Sequence, residues 1–127
     1  MIEDSSQIFS RLAAMGCNIE ETLEDTYMGN EALYLKQLVR LAGSDTPQKM
    51  LAAVRGGDVA ECFEAAHELK GLYATMGLEP LYRSCCVIVE ATRGEQGRLD
   101  GVLEKAEALV ASHEAVLGEI RGFGAPA

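Results

Sequence analysis

The chain has 127 residues, of which 48% are hydrophobic, and this is enough apolar material for the core of one domain. It carries 20 Asp and Glu against 11 Lys and Arg, a net charge of −9. Nucleic acid and anionic lipid repel such a chain, so neither is an expected partner. No apolar stretch approaches the roughly 18 residues of a membrane span, and the acidic start at residues 1–4 is unlike a basic signal peptide. We expect a cytoplasmic protein.

The four cysteines, Cys17, Cys62, Cys85 and Cys86, show no C-x-x-C spacing. Reduced packing cysteines are the simplest interpretation. We expect Cys62 and Cys85 to lie in the core, whereas the sequence does not decide the exposure of Cys86.

The first third of the chain predicts two short helices and one longer one. Residues 4–15 form an amphipathic pattern that predicts a first short helix, which ends at Gly16. Asn18, with Glu21 three residues later, is the pattern of a capping box for a second short helix. Asn30 is a good N-cap for a helix over residues 31–42, where leucines recur at helical spacing.

The rest of the chain also predicts helices. Thr46 followed by Pro47 is typical of an N-cap and first helical position, whether the helix is separate or a kinked continuation. Asp58 opens a strong helix over residues 58–76, which Gly77 closes. Further helices are expected from Pro80 to about Thr92 and over residues 99–120, the last with a regular apolar stripe that includes His113.

Short connections favour antiparallel neighbours, so the predicted fold is all-α: an up-down four-helix bundle with short N-terminal helices. We assign residues 1–121 to one domain and residues 122–127 to a flexible tail. No strand pattern competes with this interpretation.

The helix over residues 58–76 carries one histidine away from its apolar side. At about 100° per residue, its apolar side chains lie opposite His67: Cys62, Ala65, Leu69, Leu72 and Met76. The strip around His67 holds Ala60, Phe63, Glu64, Lys70, Gly71 and Ala74. A mid-helix Gly71 costs about 1 kcal/mol relative to alanine, and close approach of a partner protein is one reason to keep it. We therefore expect this strip to be a docking surface, with Phe63 shared between surface and core.

An exposed imidazole is a competent nucleophile near pH 7, because a neutral ring nitrogen is available. Lys70, three residues after His67, lies within reach of a phosphoryl group on the ring and compensates its charge. The sequence has no nucleotide-binding glycine loop and no paired carboxylates for Mg²⁺. The residues thus indicate a carrier of phosphoryl groups rather than a kinase.

The segment His67-Glu68-Leu69-Lys70-Gly71 closely resembles the His-x-Leu-Lys-Gly hallmark of the histidine-containing phosphotransfer (HPt) domain. Further similarities are Gly29-Asn30 followed by Leu33, Tyr34 and Leu35, Gly57-Asp58 ahead of the motif helix, and Gly77 after it. The resemblance covers about residues 15–120. It implies a carrier that moves phosphoryl groups between receiver domains, or from a hybrid histidine kinase, in a His-Asp phosphorelay. His67 would be the acceptor, Lys70 would steady the phosphoryl charge and Gly71 would leave room for the receiver.

The resemblance also implies that the receiver supplies Mg²⁺, that the chain needs no cofactor of its own, and that it is a monomer. Leu72 and Tyr73 depart from the family pattern, which more often has small residues there. Both lie towards the packed side of the wheel, so we expect altered packing rather than lost acceptor chemistry.

Three alternatives remain open at this stage. In the first alternative, His67 is an ordinary surface histidine. In the second, the bundle docks a receiver or other partner without transferring phosphate. In the third, Glu64 and His67 belong to a metal bundle, although Val110 stands where a matching glutamate would precede His113. His113 itself is expected to be a partly buried packing residue.

Overall fold

The computed structural model describes residues 5–124. This part of the chain forms seven α-helices and no strand, which confirms the all-α class. The helices are α1 (Ser5–Ala14), α2 (Ile19–Asp25), α3 (Glu31–Ala42), α4 (Thr46–Arg55), α5 (Val59–Thr75), α6 (Glu79–Thr92) and α7 (Val102–Gly124). No helix in the described range has the length and apolar character that crossing a bilayer requires.

Two predicted N-caps are confirmed by hydrogen bonds. The Oδ1 atom of Asn30 accepts the backbone N–H of Leu33 at 3.0 Å, and Oδ1 of Asp58 accepts that of Glu61 at 3.0 Å. Each carboxylate or amide oxygen satisfies a donor that the first turn of a helix leaves without a partner. The start of α5, which carries His67, is therefore fixed by its own sequence.

Two other predicted caps differ from the structure. Asn18 is the N-cap residue of α2 as predicted, but its amide donates to the Glu21 carboxylate at 3.1 Å instead of accepting a backbone N–H. The N-cap of α4 is Asp45 rather than Thr46, which is already helical. The Thr46 hydroxyl donates to the Glu68 carboxylate on α5 at 2.9 Å, so a bond between helices takes the place of the cap.

The last helix begins at Val102, three residues after the predicted start. Gly101 has φ +74°, a left-handed conformation that no residue inside an α-helix adopts. The N–H of Arg98 donates back to the Ala91 carbonyl at 2.8 Å, which holds the preceding loop against the end of α6. At its other end α7 continues to Gly124, beyond the predicted residue 120. The proposed tail of residues 122–127 lies partly outside the described residues and stays a prediction.

Helix α4 packs against α5 and α7, and α6 packs against the same two helices. Side-chain bonds give the direction of one pair: Gln48 bonds Glu114 at 3.3 Å, and Arg55 bonds Glu107 at 3.5 Å. Later residues of α4 thus meet earlier residues of α7, and the two helices are antiparallel. Helices α1 and α3 also contact α7, and Arg11 of α1 forms an ion pair with Glu119.

The core is continuous and includes three packed rings. Tyr34 stacks on Phe9 with centroids 5.3 Å apart and on Tyr27 at 4.7 Å. Its hydroxyl donates to the Met76 carbonyl at 2.6 Å, which ties α3 to the end of α5. Cys62 and Cys85 are buried as predicted, and Cys86 is half-buried.

Candidate functional site

Helix α5 buries one face and presents the other to solvent. The buried side chains are Cys62, Ala65, Ala66, Leu69 and Tyr73. His67 is exposed, which confirms the orientation that the helical wheel predicts. Leu72 is half-buried and packs against the core, and Tyr73 is fully buried, which confirms that both lie towards the packed side.

The imidazole of His67 lies beside one aromatic ring. The centroid of Phe63, one turn earlier on α5, is 5.5 Å from that of His67, and the ring planes are inclined by 36°. Among the described residues, no hydrogen bond engages either ring nitrogen of His67. Both nitrogens are therefore open to an incoming reactant.

The residues predicted to surround His67 do share its face. Lys70 is half-buried and forms no ion pair within the described part of the chain. A Cβ added to Gly71 would meet no described atom within 4 Å, so this stretch of surface is open. The remaining predicted docking residues are half-buried Phe63 and exposed Ala60, Glu64 and Ala74. We refer to Ala60, Phe63, Glu64, Gly71 and Ala74 as the docking strip.

Sequence reasoning missed Arg93, the residue after α6. Its guanidinium carbon lies 5.6 Å from the centroid of the Phe63 ring, and its Nη2 bonds the Glu90 carboxylate at 3.1 Å. A cation over an aromatic face is attracted by the ring quadrupole. The placement depends on how α6 packs on α5, and no local pattern in the sequence carries that information.

A groove of about 500 Å³ continues the docking strip towards the loop after α6. Its α5 wall consists of Val59, Ala60, Phe63 and Glu64, and its other wall consists of Thr92, Gly94, Glu95 and Gly97. The start of α5 therefore faces the end of α6. This neighbourhood brings the α6–α7 loop close to the turn of α5 that precedes His67.

The second histidine has a structural setting. His113 is only 3% exposed, more deeply buried than predicted, and its Nδ1 lies 2.7 Å from the Tyr73 hydroxyl. Burial lowers the pKa of His113, and the nearby Glu114 opposes this shift more weakly. Within residues 5–124, no cluster of three or more His, Cys, Asp or Glu side chains has the arrangement of a metal site.

The comparison with protein families gives a match to the Hpt domain over residues 34–119, more than half of the chain. The matched range includes the whole of α5 and the His67 motif. The chain belongs to the Hpt domain family, which confirms the resemblance stated above. Searches of curated proteins and of solved structures found no match.

Membership of this family indicates the kind of activity that its members share. Hpt domains carry phosphoryl groups on histidine within phosphorelays and exchange them with receiver domains and histidine kinases. They are carriers and not kinases.

Proposed function

We propose that His67 is the phosphoacceptor of this chain and that it carries the phosphoryl group between receiver domains. One observation supports this most strongly: the histidine of the family motif is exposed on α5, and no described residue bonds its ring nitrogens. The antiparallel four-helix bundle of α4 to α7 would be the rigid support. We further propose that the protein acts as a monomer in the cytoplasm.

The reaction is a displacement at phosphorus. The unprotonated nitrogen of the His67 imidazole attacks the aspartyl phosphate of a receiver, and an N–P bond forms as the P–O bond to the aspartate breaks. The aspartate leaves as a carboxylate, and the other ring nitrogen keeps its proton. Reversal of the same step passes the group to another receiver. The receiver would supply Mg²⁺, so this chain needs no cofactor.

Lys70 and Gly71 have separate roles in this proposal. Lys70, three residues after His67, would balance the negative charge that the phosphoryl group brings. Gly71 would let the receiver approach closely, since no described atom lies within 4 Å of the position of an added Cβ. The rest of the docking strip would contact the receiver around its aspartate.

A phosphotransfer assay tests the proposal. Receivers from the same source are phosphorylated and mixed with the wild type, His67→Gln and Lys70→Ala. We expect acid-labile, base-stable label on the wild type, none on His67→Gln and slower labelling of Lys70→Ala. Because His67 is exposed, His67→Gln should unfold within about 0.5 kcal/mol of the wild type.

The second candidate is a module that docks receivers without phosphate, and the open docking strip is compatible with it. Binding of a receiver that survives His67→Ala, with no label on the wild type from any receiver, would favour this module. Label on the wild type alone excludes it.

A further inference from the structure

The chain places a second cation, Arg93 just after α6, against the Phe63 ring that lies beside His67. Lys70 follows His67 by one turn of α5, whereas Phe63 precedes it by one turn and carries Arg93 on its ring. The His67 and Phe63 ring centroids are 5.5 Å apart, and the Arg93 guanidinium carbon is 5.6 Å from the Phe63 centroid. The distance from the guanidinium carbon to the imidazole centroid therefore cannot exceed the sum of these two spacings.

The present contacts of Arg93 are weak and exposed. The Arg93 side chain is 50% exposed and that of its partner Glu90 is 69% exposed, so solvent screens their attraction. A guanidinium on a half-buried ring likewise gives up little when it moves. A doubly negative phosphoryl group is a stronger attractor than one carboxylate, and the planar guanidinium binds two of its oxygens at once.

Other charged groups near His67 oppose a phosphoryl group or are already balanced. The acidic ones are Glu64 and Glu68 on α5, Glu90 on α6 and Glu95 in the loop after α6. Lys49 of α4 shares a hollow with Glu61, Glu64 and Glu68, and its Nζ lies 3.6 Å from Asp45. Lys49 is thus surrounded by carboxylates. Of the described cations Lys49, Lys70 and Arg93, the last two are the ones suited to the new charge.

We propose that Arg93 is a second binding group for the phosphoryl oxygens on His67, acting from the end of α6 while Lys70 acts from α5. This inference rests on the proposed acceptor role of His67. Phe63 is then the resting position of the guanidinium, and Glu90 competes with the phosphoryl group for it. The phosphorylated state would draw the end of α6 towards the docking strip.

The test measures the ionisation of the phosphoryl group itself. The full chain is phosphorylated with phosphoramidate, or with the receiver found in the transfer assay, and titrated by ³¹P NMR. A nearby cation favours the dianion, so Arg93→Gln should raise the second pKa of the phosphoryl group by about half a pH unit. Arg93→Lys should keep most of the wild-type value, and raised salt should shrink the difference.

Arg83→Gln is the matched control, because Arg83 lies on α6, the helix that Arg93 follows, and pairs with Glu79 at 3.2 Å, as Arg93 pairs with Glu90. We expect no shift in that variant, and a small downward shift in Glu90→Gln, which removes the competing carboxylate. Equal values for Arg93→Gln and Arg83→Gln would overturn the role of Arg93 and leave the carrier function intact. A wild-type chain that takes no phosphoryl group from either donor would overturn both.

Discussion

The Tyr73 hydroxyl and Nδ1 of His113 lie 2.7 Å apart and join the buried face of α5 to α7. Tyr73 is fully buried, and Nε2 of His113 has no hydrogen-bond partner among the described residues. This single bond is therefore all that satisfies the buried imidazole. It also explains how the core accepts a tyrosine where the family more often has a small residue.

Tyr73→Phe should destabilise the fold without changing the acceptor chemistry. The substitution leaves both nitrogens of His113 buried and without partners, which costs about 1–3 kcal/mol. Urea unfolding followed by circular dichroism measures the loss. Tyr82→Phe is the control. Tyr82 is only half-buried, so water can reach the groups around its hydroxyl, and removing that hydroxyl leaves no buried polar group without a partner. Equal stability of the two variants would show that the bond contributes nothing.

The stability of the fold should fall in mild acid because of His113. Burial lowers its pKa, so the folded chain favours the neutral ring and the unfolded chain binds the proton more readily. The stabilisation that comes from keeping His113 neutral is fully present above the ordinary pKa of 6.5, and it is lost progressively as the pH falls below that value. The slope from this group is at most about 1.4 kcal/mol per pH unit. Unfolding free energies of the wild type and His113→Gln at pH 8 and pH 5.5 measure it, and parallel profiles would refute the assignment.

Gly71→Ala should separate helix stability from docking. A Cβ at Gly71 meets no described atom within 4 Å, and alanine favours a helix by about 1 kcal/mol over glycine. Gly118→Ala in α7 has equally open surroundings and is the matched control. We expect both variants to melt higher, while only Gly71→Ala slows transfer from a receiver. Unchanged transfer in Gly71→Ala would remove the argument for close approach at this position.

Gly77→Ala should damage the connection between α5 and α6. Gly77 has φ +71°, and an added Cβ would collide with the Thr22 hydroxyl and the Asn18 carbonyl. Gly57 has φ +76° with no described atom near its Cβ position, so Gly57→Ala reports the conformational cost alone, about 1 kcal/mol. We expect Gly77→Ala to lose clearly more stability in thermal melts than Gly57→Ala. A similar loss in both would mean that the neighbours of Gly77 give way freely.

Local chemistry decided which parts of the fold the sequence could predict. Asn30 and Asp58 cap the helices that follow them, and the exposure of His67 follows from the spacing of apolar residues in α5 alone. Each of these features depends on residues within a few positions of one another. Prediction failed at Thr46, whose hydroxyl bonds Glu68, a residue 22 positions away.

The same reason explains what was missing from the candidate site. Arg93 reaches Phe63, and Tyr73 reaches His113, only because α6 and α7 pack against α5 in one register. No periodicity in α5 indicates these partners. The motif therefore predicted the acceptor helix, whereas the surroundings of that helix required the packed structure.

The contrast between the two histidines has a practical consequence. The chain contains only His67 and His113, one exposed and the other 3% exposed. An imidazole NMR spectrum should thus hold two sets of resonances, one reporting the phosphoryl state of His67 and the other reporting the integrity of the core around His113. Each sample would carry its own internal standard, and loss of activity through unfolding would be distinguished from loss of the acceptor in a single measurement.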